Sequence, residues 1–334
     1  MKVLITGASG FLGKNLVSKF ITEGWEVVTI VRPTSDYKQL EETGVHLIFG
    51  DLRDPKCITE ATQGVDLIVH AAANMRGTWD DYYQINVKST ELLLEQARKL
   101  GLKKFIFISS IIVYEHFTAP SGTLFSEDMP YESKNLTDYA RSKIEAEKIV
   151  QHYYKKYKIP AVIIRPGALF GPGGPLYPAR LGYSLGKFYL VIGNGKLQLP
   201  LSHVRSVTEA IWNSIQTDKS SGRCYNVVED TSITQLEFLH RVKKIAHPEL
   251  KILKMPYILA RMIAQILQIM FKFLGRTSPI RIPSLKLCST QFYYSNQRAK
   301  EELNWQPISN FDQSINEMLI SYAESRKPKR FVPL

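Results

Sequence analysis

The segment Lys2-Val-Leu-Ile-Thr6-Gly7-Ala-Ser-Gly10-Phe-Leu-Gly13 decides the fold. Its apolar start predicts a buried β-strand, and the strand leads directly into three glycines at which a helix begins. Gly7 and Gly10 let the backbone approach a pyrophosphate, while Gly13 lets the helix pack on the strand. The positive potential of the helix N-terminus favours an anion there. The segment therefore predicts a dinucleotide-binding turn, which also includes Phe11 and Leu12.

The composition is that of an ordinary globular protein, with 334 residues, 44% hydrophobic and 22% charged. Its 3 cysteines are far apart in the sequence and form no C-x-x-C pair, which argues against a disulfide framework or a zinc knuckle. We therefore predict a reducing, cytoplasmic location and no metal site. No signal peptide pattern precedes the first strand, so we expect the mature chain to start at Met1. The formal net charge of +12 is compatible with anionic partners but defines no site.

Apolar runs alternate with helical patterns through the first half of the chain, which predicts β-α-β units and a parallel sheet buried on both faces. The predicted helices include 11–20, 79–100 and 136–157. After Arg165-Pro166 the sequence becomes rich in Gly, Pro and Tyr, which marks a boundary. We predict an α/β protein with a cofactor-binding domain over 1–170 and a second, less regular substrate-binding lobe over 171–334.

The end of the second predicted strand bears on the choice of cofactor. Arg32 stands where a strict NAD site has an acidic residue for the ribose hydroxyls. A guanidinium there can bind a 2′-phosphate, and Ser35 adds a hydroxyl, so we predict a preference for NADP(H). Asp36 lies close enough in sequence to keep NAD(H) open.

Two further strand ends are predicted to contact the cofactor. Asp51 and Leu52 follow the third strand, where the carboxylate can accept a hydrogen bond from the adenine amine. Ala71, Ala72 and Ala73 follow the fourth strand, and their small side chains allow a close approach to ribose and phosphate. The neighbouring His70 is predicted to be packed rather than catalytic.

The catalytic residues are predicted from a strand end and one helix. Ser109 and Ser110 end a strand, and Tyr139 and Lys143 follow on a helix at a spacing that places both on one face. The same Tyr-x-x-x-Lys spacing recurs at 154–158 and 183–187, so spacing alone proves little. What distinguishes Tyr139 is its position after the strand-end serines and the glycine motif, because parallel-sheet enzymes act at the carboxyl ends of their strands.

These side chains can support a proton transfer. A phenol ionises with an ordinary pKa near ~10, so a nearby ammonium such as that of Lys143 is expected to stabilise the phenolate of Tyr139. The Ser110 hydroxyl can hydrogen-bond the substrate oxygen. Asn86 is expected at the head of a helix, where it either supports this network or caps the helix.

Together these motifs resemble the extended short-chain dehydrogenase/reductase family, and most closely its hydroxysteroid dehydrogenase and dihydroflavonol reductase-like branch. The resemblance implies a Rossmann doubly wound parallel sheet, a smaller mixed C-terminal lobe, and a segment near 200–230 that returns to the sheet. It implies Ser110 as the substrate hydrogen-bonder, Tyr139 as the acid/base and Lys143 as a ribose contact. It also implies Pro166 and Gly167 beside the nicotinamide, and a homodimer formed through a four-helix face.

Departures from the family pattern bear on the substrate. Ile111 and Ile112 stand where dehydratases have an Asp-Glu pair, and Leu199 and Pro200 where sugar-nucleotide enzymes have an Arg-Asp pair. Arg205 could partly replace the missing phosphate clamp. We therefore predict an NAD(P)-dependent oxidoreductase that interconverts a secondary alcohol and a ketone on a hydrophobic or amphipathic small molecule. A sugar-nucleotide epimerase is the alternative, and a catalytically silent cofactor-binding regulator is a third reading.

Residues 255–274 predict a largely apolar helix with one polar stripe formed by Arg261, Gln265, Gln268 and Lys272. Three interpretations stay open: a helix packed in the lobe, a lid over an apolar ligand, or a peripheral membrane contact. No nucleic-acid-binding module accompanies the basic charge, so we predict no nucleic-acid partner. The basic end at 326–330 is expected to be solvated.

Overall fold

Fourteen strands are seen in the computed structural model, which describes residues 1–134, 136–273, 278, 280 and 282–325. They are β1 (Lys2–Thr6), β2 (Glu26–Val31), β3 (His46–Phe49), β4 (Leu67–His70), β5 (Lys104–Ile108), β6 (Leu124–Phe125), β7 (Ala161–Pro166), β8 (Ala168–Phe170), β9 (Tyr183–Leu185), β10 (Phe188–Ile192), β11 (Leu201–His203), β12 (Cys224–Val227), β13 (Lys251–Met255) and β14 (Tyr293–Tyr294). Seven of them form a sheet in the order β12-β7-β5-β4-β1-β2-β3. All its pairings are parallel. The strand order reverses direction beside β1, which makes this a doubly wound Rossmann sheet.

Twelve α-helices accompany the strands in the described part of the chain. They are α1 (Phe11–Thr22), α2 (Lys38–Glu41), α3 (Pro55–Ala61), α4 (Trp79–Tyr82), α5 (Ser89–Leu100), α6 (Asp138–Tyr157), α7 (Val204–Ile215), α8 (Gln235–Ile245), α9 (Tyr257–Phe273), α10 (Ile282–Leu287), α11 (Gln297–Leu303) and α12 (Phe311–Ser325). Short 3-10 turns lie at Ile111–Val113 and Asp218–Ser220.

The central sheet is buried on both faces, as its nearly continuous apolar strands predict. Side chains of α1, α7 and α11 pack on one face, and side chains of α3, α5 and α6 pack on the other. Every residue of β5 and β7 is buried. The carboxyl ends of these strands therefore form a fixed edge on which functional side chains can be placed.

The C-terminal half contributes to two cores. The helices α8 and α12 pack with β10 in the smaller, mixed lobe. In contrast, α7 packs with α1, and β12 extends the main sheet beside β7. Residues 297–305 fall within the range predicted for the substrate-binding lobe, and in the structure they pack on the main sheet. Trp305 is buried in the core of the main sheet, where its indole nitrogen donates to the Ser206 carbonyl at 2.7 Å.

The helix predicted over 79–100 is not one regular α-helix. It begins after Thr78, whose side chain caps it, and passes through a π-helical segment at Tyr83–Lys88 before α5 begins. Asn86 lies within the π-helical segment, so the placement of this residue at a helix head was wrong. π-Helical turns widen the helix and are frequent at functional sites.

The helix predicted over 255–274 is shorter at its start. Met255 ends β13, and α9 begins at Tyr257. Leu274 and the basic end at 326–330 lie outside the described residues. Among the described helices, none combines the length and the apolar character that crossing a membrane requires.

Candidate active site

The glycine turn between β1 and α1 forms a tight cradle. Gly7 has a φ of +74°, and a Cβ placed there would lie 2.8 Å from the backbone nitrogen of Ala72. A Cβ at Gly13 would lie 2.0 Å from the carbonyl oxygen of Gly7, so this glycine lets α1 begin against the turn. Gly10 stands at the N-cap of α1 and brings no capping side chain. The free amide groups at this helix end suit a pyrophosphate.

A cavity of about 280 Å³ lies beside the cradle at the carboxyl ends of the strands. Nine of the predicted cofactor residues line it: Gly7, Gly10, Arg32, Ser35, Asp51, Leu52, Ala71, Ala72 and Ala73. The sequence analysis missed five others, namely Ser9, Ile30, Gly50, Asn74 and Ile85. The glycine cradle and this cavity fit a dinucleotide, because the cradle presents free backbone amides at the start of α1, and the close contact of Gly7 with the Ala72 backbone brings both segments to the same cavity.

Phe11 and Leu12 are placed differently from the cavity residues. The Phe11 ring lies so close to Gly174 that a Cβ there would be 2.7 Å from it. The Leu12 side chain is buried in the core of the sheet. Neither side chain lines the cofactor cavity, so their contribution to cofactor binding stays a prediction.

Charged groups surround the part of the cavity that lies nearest β2 and β3. Asp51 accepts two hydrogen bonds from the Arg53 guanidinium, at 2.9 and 2.8 Å. This pairing lowers the pKa of the Asp51 carboxyl, with a smaller contribution from the charge of Arg32. Asp36 pairs with Lys14 at 3.8 Å and does not line the cavity. The side of the cavity nearest β2 therefore presents the Arg32 cation.

Ser110 and Tyr139 meet at the end of β5. The Ser110 oxygen accepts a hydrogen bond from the Ile112 amide at 3.2 Å, and the Ser110 hydroxyl lies close enough to the Tyr139 phenol to affect its ionisation. Burial, with a smaller contribution from the Tyr82 phenol, raises the pKa of Tyr139 to about 12, and the interaction with Ser110 partly offsets this rise. Lys143 does not lower the pKa of Tyr139, although the sequence analysis predicts that it would. Tyr139 is therefore a protonated hydroxyl at neutral pH in this structure.

Lys143 lies one helical turn after Tyr139 on α6. Its ammonium donates to the Ile108 carbonyl at 2.7 Å and lies 4.9 Å from the centre of the Phe107 ring. Burial lowers the pKa of Lys143 to about 8, and the charge of Glu147 partly offsets this. The lysine is thus anchored to the end of β5, two residues before Ser110.

Asn86 connects three segments around the site. Its side chain accepts from the Asn74 amide at 2.6 Å and donates to the Ser142 hydroxyl at 2.8 Å. Ser142 in turn donates to the Tyr139 carbonyl at 2.8 Å. Asn86 therefore supports the network and does not cap a helix. Ser142 and Asn74 were missed because single Ser and Asn residues give no distinctive signal in a sequence.

Three other predicted residues lie at neighbouring strand ends. The Ser109 hydroxyl is buried and has no hydrogen-bond partner in the described part of the structure. Pro166 ends β7, and the Gly167 amide donates to Ser202 at 2.7 Å. A Cβ at Gly167 would lie 2.3 Å from the Pro200 carbonyl oxygen, so only glycine fits there.

His70 is packed rather than catalytic. Its ring nitrogens lie 2.7 Å from the Thr6 hydroxyl and 3.0 Å from the Thr90 hydroxyl. Burial lowers the pKa of His70 to about 3, with a smaller effect from the charge of Lys143. The histidine therefore ties β1 to α5 as a neutral ring.

A buried ion pair fixes α6, the helix that carries Tyr139 and Lys143, to the sheet. Arg165 on β7 donates to both carboxylate oxygens of Glu147 on α6, at 2.9 and 2.6 Å. The same guanidinium donates to the Tyr114 hydroxyl at 2.9 Å, and that hydroxyl donates to Asn226 on β12 at 2.6 Å. The motif residues Arg165 and Asn226 thus hold α6, β7 and β12 together.

A second, mostly apolar cavity is lined partly by residues that lie close to Ser110 and Tyr139 in the chain. It is lined by residues that neighbour Ser110 and Tyr139 in the chain and by residues of α10: Ile112, His116, Phe117, Glu132, Leu136, Thr137, Ala140, Pro283, Lys286 and Leu287. Lys286 donates to the Phe117 carbonyl and lies 5.2 Å from the centre of the Phe117 ring. This cavity has a volume of about 30 Å³ and mostly apolar walls, with His116, Glu132 and Lys286 as its titratable residues.

The other two Tyr-x-x-x-Lys segments lack this setting. Lys158 adopts a left-handed conformation after the end of α6, and Tyr154 packs against Gly222. Tyr183 lies on β9, and Lys187 lies beyond the end of that strand. Of the three pairs, only Tyr139 and Lys143 share one helical face at the strand ends.

The family model "NAD dependent epimerase/dehydratase family" matches residues 3–227. The chain belongs to this family, and it is an NAD(P)-dependent oxidoreductase that interconverts a secondary alcohol and a ketone.

Similar curated proteins are dehydrogenases and reductases. The chain is 26% identical to the sterol-4-alpha-carboxylate 3-dehydrogenase, decarboxylating, of Mus musculus, over 98% of this chain and 92% of that protein. It is 27% identical to the 2-alkyl-3-oxoalkanoate reductase of Shewanella oneidensis, over 95% of this chain and 85% of that protein.

Solved structures of epimerases share the fold. UDP-glucuronic acid 4-epimerase from Bacillus cereus, in complex with UDP-glucuronic acid and NAD, has a TM-score of 0.75 and 22% identity, with 97% of this chain and 99% of that chain covered. UDP-glucose 4-epimerase from Thermotoga maritima has a TM-score of 0.78 and 16% identity, with 98% and 100% covered. At these identities the likeness concerns the fold alone.

Proposed function

We propose that the protein reduces a 3-oxo carboxylic acid that carries an apolar substituent, or oxidises the corresponding 3-hydroxy acid, with NADP(H) as its preferred cofactor. The observation that carries this proposal is the pairing of the Ser110 and Tyr139 hydroxyls at the end of β5, close in the chain to residues of the apolar cavity. Ile112 donates to Ser110 and lines this cavity, and Ala140 follows Tyr139 and lines it too. In the proposed complex the substrate carbonyl lies between the two hydroxyls and its carbon skeleton extends towards this cavity.

The proton chemistry follows from the state of Tyr139. Because burial raises its pKa to about 12, the phenol carries its proton at neutral pH and can donate it to a carbonyl oxygen. Ser110 donates a second hydrogen bond to that oxygen, which orients the carbonyl group for the proton and hydride transfers. The reduced nicotinamide, when bound, supplies the hydride. The Lys143 ammonium donates to the Ile108 carbonyl and does not lower the pKa of Tyr139 in this structure, so the proposed proton donor is the neutral phenol.

The substrate class is supported by the names of the curated relatives together with the cavity. Both names describe an oxygen at carbon 3 with a carboxylate on the adjacent carbon. The mostly apolar lining suits the carbon skeleton, and the cavity, which measures about 30 Å³ in this structure, must widen to admit a substrate. Lys286 suits the carboxylate, because it makes no ion pair with an Asp or Glu among the described residues, while Glu132 on the same lining accepts hydrogen bonds from backbone amides. Lys286 is therefore the proposed carboxylate-binding residue.

The preference for NADP(H) is supported by the charges of the cofactor cavity. Arg32 and Ser35 line it, whereas Asp36 pairs with Lys14 and does not line it. A 2′-phosphate would gain charge-assisted hydrogen bonds from Arg32. NAD(H) stays possible, since Asp51 is also in the cavity.

The assay is the absorbance of the reduced nicotinamide with a 2-alkyl-3-oxo acid as substrate. We expect net oxidation of NADPH, whereas an epimerase acting on a UDP-sugar would return its hydride and show no net change. The Lys286→Met variant should raise KM for the acid about tenfold or more and leave the methyl ester unaffected. Lys155→Met, an exposed site on α6, is the control. Net-neutral turnover of a UDP-sugar would contradict the proposal.

A cytoplasmic homodimer remains a proposal as well. It is supported by the neighbouring helices α5 and α6, which leave Leu100 and Tyr157 exposed. Sedimentation of the purified protein as a monomer at all accessible concentrations would contradict the dimer.

A further inference from the structure

The helix α9 carries the densest group of exposed apolar side chains among the described residues. Seven of the nineteen large hydrophobic side chains that are exposed lie on it. They are Ile258, Leu259, Met262, Ile266, Ile269, Met270 and Phe273, with exposed fractions between 47% and 88%. We call these seven residues the outer face of α9.

The spacing of these residues places them on one side of the helix, at steps of three and four. The opposite side packs through small residues, since Ala260 and Ala264 are buried against Leu285 and Cys288. The helix is therefore attached to the lobe by its alanines, while its large side chains point away from the protein. These large side chains are not buried in the lobe. The interpretation of α9 as a helix packed on all sides is therefore excluded.

The chain segment that contains α9 carries charge of one sign. No Asp or Glu occurs between Glu249 and Glu301 in the sequence. The same stretch contains nine basic residues: Lys251, Lys254, Arg261, Lys272, Arg276, Arg281, Lys286, Arg298 and Lys300. The last two lie on α11 and pair with Asp128 and Asp230, so they do not add to the charge beside α9. Arg261 and Lys272 lie along one flank of the outer face, and both are exposed. Positive charge beside an apolar face is complementary to a membrane surface, in which anionic lipid headgroups cover an apolar core.

We propose that the outer face of α9 binds the surface of a membrane that contains anionic lipids, with the helix lying in the interface. The 17 residues of α9, at about 1.5 Å each, span about 26 Å, which is less than the ~30 Å thickness of a bilayer core. Burial of the polar side chains on its flank within that core would also be costly. A second copy of the chain fits less well, because a two-fold contact would bring this acid-free segment against itself.

The proposed docking places the apolar cavity next to the lipid. The helix α10 packs on α9, and its residues Pro283, Lys286 and Leu287 line that cavity. An apolar substrate could then reach the active site from the bilayer. This consequence rests on the proposed function, whereas the docking itself does not.

The test is cosedimentation of the purified protein with vesicles of phosphatidylcholine alone or mixed with phosphatidylserine. We expect binding to the mixed vesicles that weakens with salt, and at least tenfold weaker binding for Ile266→Glu. The control is Ile320→Glu, which places the same charge at a similarly exposed site on α12. Absence of binding by the parent at low salt, or equal binding by Ile266→Glu and the parent, would overturn the proposal.

A second measurement does not depend on introducing a charge. The native cysteines Cys57, Cys224 and Cys288 are buried, so a polarity-sensitive dye can be attached selectively at Ile266→Cys. We expect its emission to shift to the blue with mixed vesicles, and no shift from Ile320→Cys. A dimer in solution that Ile266→Glu dissociates would assign the face to a second copy of the chain and contradict lipid binding. An NADPH assay without vesicles reports separately on the proposed function.

Discussion

The Lys143 ammonium donates a 2.7 Å hydrogen bond to the carbonyl oxygen of Ile108, the last residue of β5. This bond joins the helix that carries Tyr139 to the strand that leads into Ser110. The two hydroxyls and the lysine are thus held by one strand end and one helical turn. A site on such rigid elements keeps its geometry better than a site built on loops.

The buried lysine predicts a pH dependence of stability. Its pKa falls from the ordinary 10.5 to about 8 because of burial, so the folded state disfavours the charged form. This penalty is fully present below pH 8 and disappears as the pH rises towards 10.5. Relative to Lys143→Met, the unfolding free energy of the parent should therefore rise by up to about 3 kcal/mol over that range. Urea unfolding at several pH values measures it.

The control for this experiment is Lys155→Met, at an exposed position on the same helix. Its unfolding free energy should follow that of the parent at every pH. Parallel pH profiles for the parent and Lys143→Met would show that the ammonium is not desolvated as the structure implies.

Replacement of Arg32 should change the cofactor preference. In Arg32→Gln the cavity loses its cation, and we expect kcat/KM for NADPH to fall about tenfold to a hundredfold while that for NADH changes little. Lys38→Gln, an exposed residue of the nearby α2, serves as the matched loss of charge. An equal effect of Arg32→Gln on both cofactors would remove the basis for the NADP(H) preference.

Parts of this site could be predicted from local sequence because they depend on local backbone. The turn at Gly7 and the helix with Tyr139 and Lys143 need only a strand, a glycine motif and a helical period. The placement of Asn86 failed for a physical reason, because apolar periodicity does not reveal a π-helical turn or a cap at Thr78 eight residues earlier. Residues such as Ser142 act through partners distant in sequence, and only the fold shows them.

The same limit applies to α9. Its sequence predicts a largely apolar helix with a polar stripe, and the structure adds which side is packed. Ala260 and Ala264 face the lobe, whereas larger residues such as Ile266 are exposed. A hydrophobic pattern alone predicts the opposite, since large apolar side chains are more often the buried ones.

Buried histidines predict loss of stability in acid. Burial lowers the pKa of His70 from the ordinary 6.5 to about 3. At pH values between these two, the unfolded chain therefore binds a proton at this residue that the folded chain does not bind. The unfolding free energy should therefore decrease as the pH falls from 6.5, by up to about 1.4 kcal/mol per pH unit for this residue. His70→Gln should show a shallower slope between pH 6 and about 4 in urea titrations. An unchanged slope would contradict the neutral, packed state, and the exposed His46→Gln provides the control.

The most direct test of the account is the Tyr139→Phe variant, assayed with NADPH and a 3-oxo acid. The substitution removes one hydroxyl and keeps the ring that lies 6.5 Å from Tyr82, so the fold and cofactor affinity should persist. If Tyr139 donates the proton, kcat should fall by roughly a hundredfold to ten-thousandfold, with an unchanged Tm and an unchanged Kd for the cofactor. A variant that reduces the substrate as fast as the parent would contradict the assignment of this hydroxyl as the proton donor.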